Sequence, residues 1–329
     1  AGKTSILESI YLASNLKSFK PVSNNELIKK TSSSFKISLN FLKNSLKNNI
    51  YLEKSLKSSK CLYNNSRISK HDLTLAFPCY SLVFGFNNIL LNDASYRRDF
   101  LDIGMFHVEP ESIKAYNSFE KTLKQRNSLL KTKQYHALET WDTRLTQYND
   151  QLSKLRTNYF TLLNKEFNNL ISLMRDNTAS LYEDVLSLNL RYFKGWDGND
   201  FSKELEMSKS KDKNIGFTSK GTHRSDFTVS TMGKTVKEAG SMSTLVLACL
   251  MINLARINVF HVKHGFKPTL LIDDLFFGID NKNLSTVVKL LVHSKGNIVL
   301  TAPNIYRDIL EQISHENNDI ALMDIGVKD

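Results

Sequence analysis

The sequence predicts an α/β fold, a parallel-stranded body interrupted by a mainly helical lobe, and three observations predict it. Gly2-Lys3-Thr4 leads straight into apolar residues at helical spacing, Ile6, Leu7, Ile10 and Tyr11. From about Ser112 to Met174 the periodicity stays helical. Near the C-terminus, Thr269-Leu270-Leu271-Ile272-Asp273-Asp274 reads as a buried strand, followed by a helical stretch and a second apolar run, the strand-helix-strand order of a parallel sheet.

The elements follow in order. Gly2 to about Asn15 reads as a turn feeding a helix. Residues 35 to 53 alternate, as in Phe35-Lys36-Ile37-Ser38-Leu39, and suit strands of a small sheet. Lys54 to Lys70, rich in serine, lysine and asparagine, reads as a loop or a ragged hairpin. Leu152, Leu155, Tyr159, Leu162, Leu163, Phe167, Leu170, Ile171 and Met174 form an amphipathic stripe. It is too wide for a two-position seam and sustains no heptad, so a packed helical lobe is expected over a coiled coil. Residues 194 to 222 read as a solvated connector with loose strands. An apolar helix from Ser241 to about Asn258, a helix over Thr286 to Val292 and a strand over Asn297 to Ala302 complete the chain.

With 329 residues, 41% apolar and 23% charged, the chain is long enough for about two globular units and too apolar to be disordered. Lysine and arginine number 44 against 33 carboxylates, a formal charge of +11 that favours polyanionic partners. Cys61, Cys79 and Cys249 are too scattered for a zinc knuckle and too few to staple a domain of this size. The apolar run Leu245 to Ile252 soon meets Asn253 and Arg256, short of the roughly 18 residues that span a bilayer. No leader pattern opens the chain. A cytoplasmic protein with no membrane partner is expected.

Gly2-Lys3-Thr4 at a helix start has the chemistry of the second half of a P-loop, in which amides cradle phosphates, a lysine reaches the terminal phosphates and a hydroxyl holds Mg²⁺. The chain opens directly in Ala1-Gly2-Lys3-Thr4, so the loop's first glycines are expected upstream. Asp273-Asp274 at a strand end form a Walker B pattern, with Asp273 placed to hold Mg²⁺ and Asp274 to act as general base toward water. The alternative for the pair is a strand-end turn capped by two aspartates. Candidate site residues are therefore Asp274 for catalysis, Ala1, Gly2, Lys3, Thr4, Ser5 and Ser241 for nucleotide, and Thr4 and Asp273 for the metal.

The order of P-loop, helical lobe, the turn Glu238-Ala239-Gly240-Ser241-Met242-Ser243-Thr244, Walker B and Asp280 resembles the SMC-like ABC-type ATPases that act on DNA. Within them the wording is similar to the RecF family at Leu7-Glu8-Ser9-Ile10-Tyr11, Lys17-Ser18-Phe19-Lys20, Tyr96-Arg97-Arg98-Asp99-Phe100-Leu101-Asp102, Phe106-His107-Val108-Glu109-Pro110, Leu123-Lys124-Gln125-Arg126-Asn127 and Thr222-His223-Arg224-Ser225-Asp226-Phe227. The resemblance implies an ABC-type P-loop ATPase head (lobe I) with an inserted, mainly helical lobe II. It assigns residues 1–95 and 216–329 to lobe I and 96–215 to lobe II with its connector. It further implies ATP and Mg²⁺ as cofactors, an ATP-dependent homodimer, binding to single- and double-stranded DNA at gaps, and recombination mediator proteins as partners that help load recombinase. The cations proposed for DNA are Lys17, Lys20, Arg97, Arg98, Lys124 and Arg126. For Arg97 and Arg98 the alternative is pairing with Asp99 or Asp102, and Lys124 and Arg126 lie too close in sequence to share a helical face.

Two departures stand out. The family's Ser-x-Gly-Gln signature becomes Ser241-Met242-Ser243-Thr244, putting a Cβ where backbone approaches a phosphate and a short hydroxyl where an amide would reach. The Pro-Glu expected shortly before Tyr96 is replaced by Pro78-Cys79-Tyr80 and then Val83-Phe84-Gly85-Phe86-Asn87. Both predict weak ATP handling, so a DNA-binding scaffold of the same fold with decayed ATPase activity stands as the alternative. A transporter ATPase is the third reading.

Overall fold

The computed structural model describes residues 2–23, 25–43, 45–83, 89–177, 183–276, 279, 281–294, 296–316 and 320–324. The expectations placed on Ala1, on 84–87 and on Asp280 lie outside these residues. In chain order come α1 (Lys3–Asn15), β1 (Ser34–Lys43), β2 (Leu46–Ser55), β3 (Ser59–Tyr63), β4 (Ser66–Arg67), α2 (Lys70–Ala76) and β5 (Cys79–Val83). Next are α3 (Ala94–Val108), α4 (Ser112–Lys131), α5 (Leu138–Asn177), α6 (Glu183–Leu186), β6 (Asn189–Phe193) and α7 (Phe201–Ile215). Then follow β7 (Asp226–Thr231), β8 (Lys234–Thr235), α8 (Val236–Ala239), α9 (Met242–His264), β9 (Thr269–Asp273), α10 (Asn281–His293), β10 (Asn297–Leu300) and α11 (Arg307–Glu316). Two units result, Ala1–Asn88 with Phe266–Asp329, and Ile89–Gly265.

In the first unit α1 is covered by two sheets. Leu7 packs with Phe19, Cys79, Val83 and Leu271 on the parallel sheet, ordered β10-β9-β5. Every residue of β9 is buried, which explains a continuous apolar run in place of alternation. Farther along α1, Ala13 packs with Ile50 and Leu73 beneath the antiparallel sheet β1-β2-β3-β4. That sheet alternates as its sequence does: Ile37, Leu39 and Phe41 join the core, while Lys36, Ser38 and Asn40 face out. Of the two readings for 54 to 70, the hairpin is the one formed, by β3 and β4.

The second unit carries the expected helices. α5 runs 40 residues, roughly 60 Å at 1.5 Å per residue. Leu152, Tyr159, Leu163, Phe167, Leu170, Ile171 and Met174 are buried as the stripe predicts, but Leu162 is exposed. α5 packs against α3, α4, α7 and α9, so its wide apolar face serves a packed lobe.

Three expectations differ from the structure. Part of the connector at 194 to 222 is a helix, α7, whose Phe201, Leu205, Ser208 and Asp212 are buried. Asp200 caps its start by accepting from the Ser202 and Lys203 amides, and Gly216 ends it at φ 77, the left-handed stop that glycine adopts without a Cβ penalty. The apolar helix α9 runs 23 residues to His264, and by length and composition it is long and apolar enough to cross a bilayer. Of its most apolar window, 83% is buried inside the protein. Its polar residues are accommodated there: Asn253 donates to the Cys249 carbonyl at 2.9 Å, and the Arg256 guanidinium lies 4.7 Å from the Phe100 ring centroid. Because α9 packs along α3 and α5, residues 216–265 belong to the second compact unit, whereas the sequence grouped them with Asp273.

Candidate nucleotide site

The site is built at the carboxyl ends of the parallel strands. Leu300 pairs with Ile272 in register, so the next residue, Thr301, falls opposite Asp273. The Thr301 hydroxyl donates to Asp273 Oδ1 at 2.5 Å and accepts the Asp274 amide at 3.3 Å. One residue on, the Ala302 carbonyl accepts the Lys3 ammonium at 2.6 Å. Lys3 and Asp273, 270 positions apart, are thus bonded to adjacent residues, Ala302 and Thr301.

Asp273 is 5% exposed, whereas Asp274 is exposed. The chain turns sharply between them, with Asp274 at φ 53, a left-handed conformation that costs a non-glycine residue roughly 1 kcal/mol or more. One carboxylate is therefore held within the sheet edge and the next is presented to solvent.

At the start of α1, Gly2 is the N-cap at φ 103 and makes no side-chain cap bond, and the first turn carries no acid. An uncapped helix N-terminus beside a lysine suits an anion. Thr4 is half-buried, and Gly2 and Ser5 are exposed. Among the described residues no three His, Cys, Asp or Glu side chains cluster to hold a metal. A cation here would rely on Asp273, Thr4 and ligand oxygens, the usual Mg²⁺ arrangement. These donors fit a magnesium triphosphate.

Ser241 lies in the second unit and is the N-cap of α9, where its hydroxyl oxygen accepts the Thr244 amide at 3.1 Å. The Thr244 hydroxyl donates to the Asp184 carboxylate. Unlike α1, this helix start has its own cap and a carboxylate beside it.

Four of the six cations proposed for DNA make bonds within the fold. Lys20 pairs with Glu8 at 2.7 Å, and Glu8 also accepts the Ser18 hydroxyl, which ties Leu7-Glu8-Ser9 to Lys17-Ser18-Phe19-Lys20. Arg97 makes a two-pronged pair with Asp226 and donates to the Asn92 carbonyl, and Arg98 donates to the Ser225 carbonyl. Neither Asp99 nor Asp102 is the ion-pair partner of these two arginines. Asp102 instead receives Arg156, which also reaches the Thr222 carbonyl and the Ser225 hydroxyl.

Arg126 is corrected outright as a DNA contact. Its side chain is 0% exposed and is bonded to Asp142, Asp212 and Thr218. Lys17 and Lys124 are exposed. Sequence reasoning missed Thr301 and Arg156. For Thr301 the signal was its place directly after an apolar strand that runs parallel to β9.

No family model matches the chain. The chain is 28% identical over 308 residues to the DNA replication and repair protein RecF of Pseudoalteromonas translucida, covering 92% of this chain and 83% of that one. It is 32% identical over 232 residues to that of Actinobacillus succinogenes, covering 70% and 62%. The fold matches a solved structure described as the recombination mediator protein RecF-ATPrS in the RecFOR pathway, at TM-score 0.73 and 22% identity over 92% of this chain and 84% of that one. The architecture is that of an ABC-type P-loop ATPase head with an inserted, mainly helical lobe. Over most of its length the chain is similar to the RecF DNA replication and repair proteins.

Proposed function

We propose that this chain is an ATP-dependent DNA-binding protein of recombinational repair and replication, acting in the cytoplasm at gapped DNA and assisting recombinase loading with mediator proteins. The observation that carries the reading is the convergence of Lys3, Thr301 and Asp273 at one sheet edge. Lys3 would leave the Ala302 carbonyl for the terminal phosphates, and Thr4 and Asp273 would hold Mg²⁺ between them. Asp274 would orient water, and the amides of Thr4 and Ser5 would face phosphate oxygens. Relatives described as RecF-ATP and RecF-ATPrS support ATP as the nucleotide. By family resemblance, a second copy would present Ser241 to the γ-phosphate in an ATP-dependent homodimer.

A second reading, a DNA-binding scaffold with decayed ATPase activity, is favoured by one observation. The start of α9 is already capped by Ser241 and flanked by Asp184, and a carboxylate there repels an incoming phosphate. Duplex and gapped-DNA affinity measured with and without ATP, in the full-length gene product and its Lys3→Ala variant, separates the two. The ATPase reading expects ATP to tighten DNA binding and Lys3→Ala to abolish that gain. DNA binding indifferent to both ATP and Lys3→Ala would contradict it and support the scaffold.

A further inference from the structure

The positive charge of this chain is concentrated in one place. Residues 29–70 hold ten lysines and arginines against a single carboxylate, Glu53, while the rest of the chain holds 34 cations against 32 carboxylates. Nearly the whole formal excess of +11 therefore belongs to the segment that forms β1 to β4. Four of the six cations singled out from sequence, by contrast, are engaged inside the fold.

Strand register sorts the charges onto one face. Ile37, Leu39 and Phe41 turn toward α1 and α2, so Lys36, Ser38, Asn40 and Leu42 face outward. Pairing carries that outward set to Glu53, Tyr51, Asn49 and Lys47 on β2, to Lys60 and Leu62 on β3, and to Arg67 on β4. Lys36, Lys47, Lys60 and Arg67 thus share the solvent face, and all four are exposed. Lys43, on the opposite face, is excluded: it donates to the Ala76 carbonyl and sits over the Phe266 ring.

The one carboxylate on the outer face, Glu53, lies between Lys36 and Lys60 in register, accepts the Tyr51 hydroxyl at 3.1 Å and stands 3.5 Å from Lys36. Among the described residues Lys47, Lys60 and Arg67 form no ion pair. From Lys36 to Leu42 the face extends roughly 20 Å along the strand, and its four strands span roughly 14 Å. Twenty ångströms is about six base-pair steps of duplex.

We propose that the outward face of β1–β4 is the docking surface for the phosphate backbone of duplex DNA. This rests on the DNA-binding reading above and names the surface that reading left open. Duplex is favoured over single strands because Tyr51, the one aromatic on this face among the described residues, is half-buried and bonded to Glu53, and single-strand binding needs stacking platforms. Recognition is through phosphates and is neutral to sequence. The inner face of the same sheet packs on Ala13 of α1, the helix whose first turn holds Lys3 and Thr4, so DNA and nucleotide would act on one helix.

The test is fluorescence anisotropy of a duplex oligonucleotide between 50 and 200 mM salt. The quadruple variant Lys36→Ser, Lys47→Ser, Lys60→Ser and Arg67→Ser is compared with a control that neutralises four exposed lysines of the other unit, Lys121, Lys131, Lys154 and Lys211. Each lost phosphate contact flattens the logarithmic salt slope by about 0.9, so the quadruple variant should lose roughly 3 to 4 and bind much more weakly at 50 mM, while the control keeps most of its slope. The four single variants, each lowering the slope by about 0.9, give the same answer if the quadruple variant shows an altered circular dichroism spectrum. A quadruple variant that binds like the parent overturns this surface and leaves the DNA-binding reading standing. A parent that binds no duplex at 50 mM, with or without ATP, overturns both. Displacement of the duplex by polyglutamate at equal charge overturns the commitment to DNA in favour of an acidic protein partner.

Discussion

Replacing Arg126 by alanine tests whether the family-like segments of the helical lobe act as internal clasps. Arg126 and Asp212 are both 0% exposed and 2.8 Å apart, and the guanidinium also reaches Asp142 at 2.6 Å and Thr218 at 2.7 Å. Alanine removes all three bonds at once. Asp142 keeps Lys209 at 3.7 Å, but Asp212 keeps only the amide and hydroxyl of Ser219 among its described partners. Breaking one side of a buried pair costs about 3–5 kcal/mol, and the bonds that survive favour the lower end, about 3 kcal/mol. In a unit of this size each kcal/mol lowers Tm by about 2–4 °C, so calorimetry should find a drop of roughly 6–12 °C. The compensated variant Arg126→Met with Asp212→Asn removes both charges and should recover more than half of the loss. An unchanged Tm together with weakened DNA binding would refute this reasoning and return Arg126 to the DNA-contact role.

Two further perturbations follow from side-chain burial. A Cβ added at Gly104 of α3 would fall on the buried Tyr159 ring of α5. Gly104→Ala should therefore destabilise by about 1–3 kcal/mol despite alanine's better helix propensity, as read by urea denaturation, and a stabilised variant would contradict the packing. Burial pushes His223 down to about 4, and its Nε2–H donates to the Thr218 carbonyl at 2.9 Å. A depressed folded value means that stability is full above the unfolded value near 6.5 and is lost as pH falls toward 4. The expected loss is roughly 3 kcal/mol across that window. It should be largely absent in His223→Gln, and an identical pH profile in that variant would contradict the assignment.

The sequence made the strand Thr269–Asp273 and the helix opening at Lys3 readable because their chemistry is local: an unbroken apolar run ended by acids, and a small-residue turn before a helical stripe. That these two ends share one site was legible through motif order. The clasp that joins them was not, because Thr301 gains its role from parallel register, which no local pattern encodes. α7 was misread because its lysines and serines suggested solvent, although Asp200 and Gly216 marked both ends. The internal partners of Arg97 and Arg126 were hidden for a related reason. A cation in a motif reads as a ligand contact until the fold brings Asp226 or Asp212 across more than 80 residues.

The proposed function requires a single triphosphate held between Lys3 and Asp273. A crystal structure of the full-length gene product with ATPγS and Mg²⁺ tests it most directly. The expected result is Lys3 Nζ withdrawn from the Ala302 carbonyl and bonded to the terminal phosphates, with the metal between Thr4 and Asp273. Nucleotide bound elsewhere, with the Lys3–Ala302 bond intact, would contradict the account.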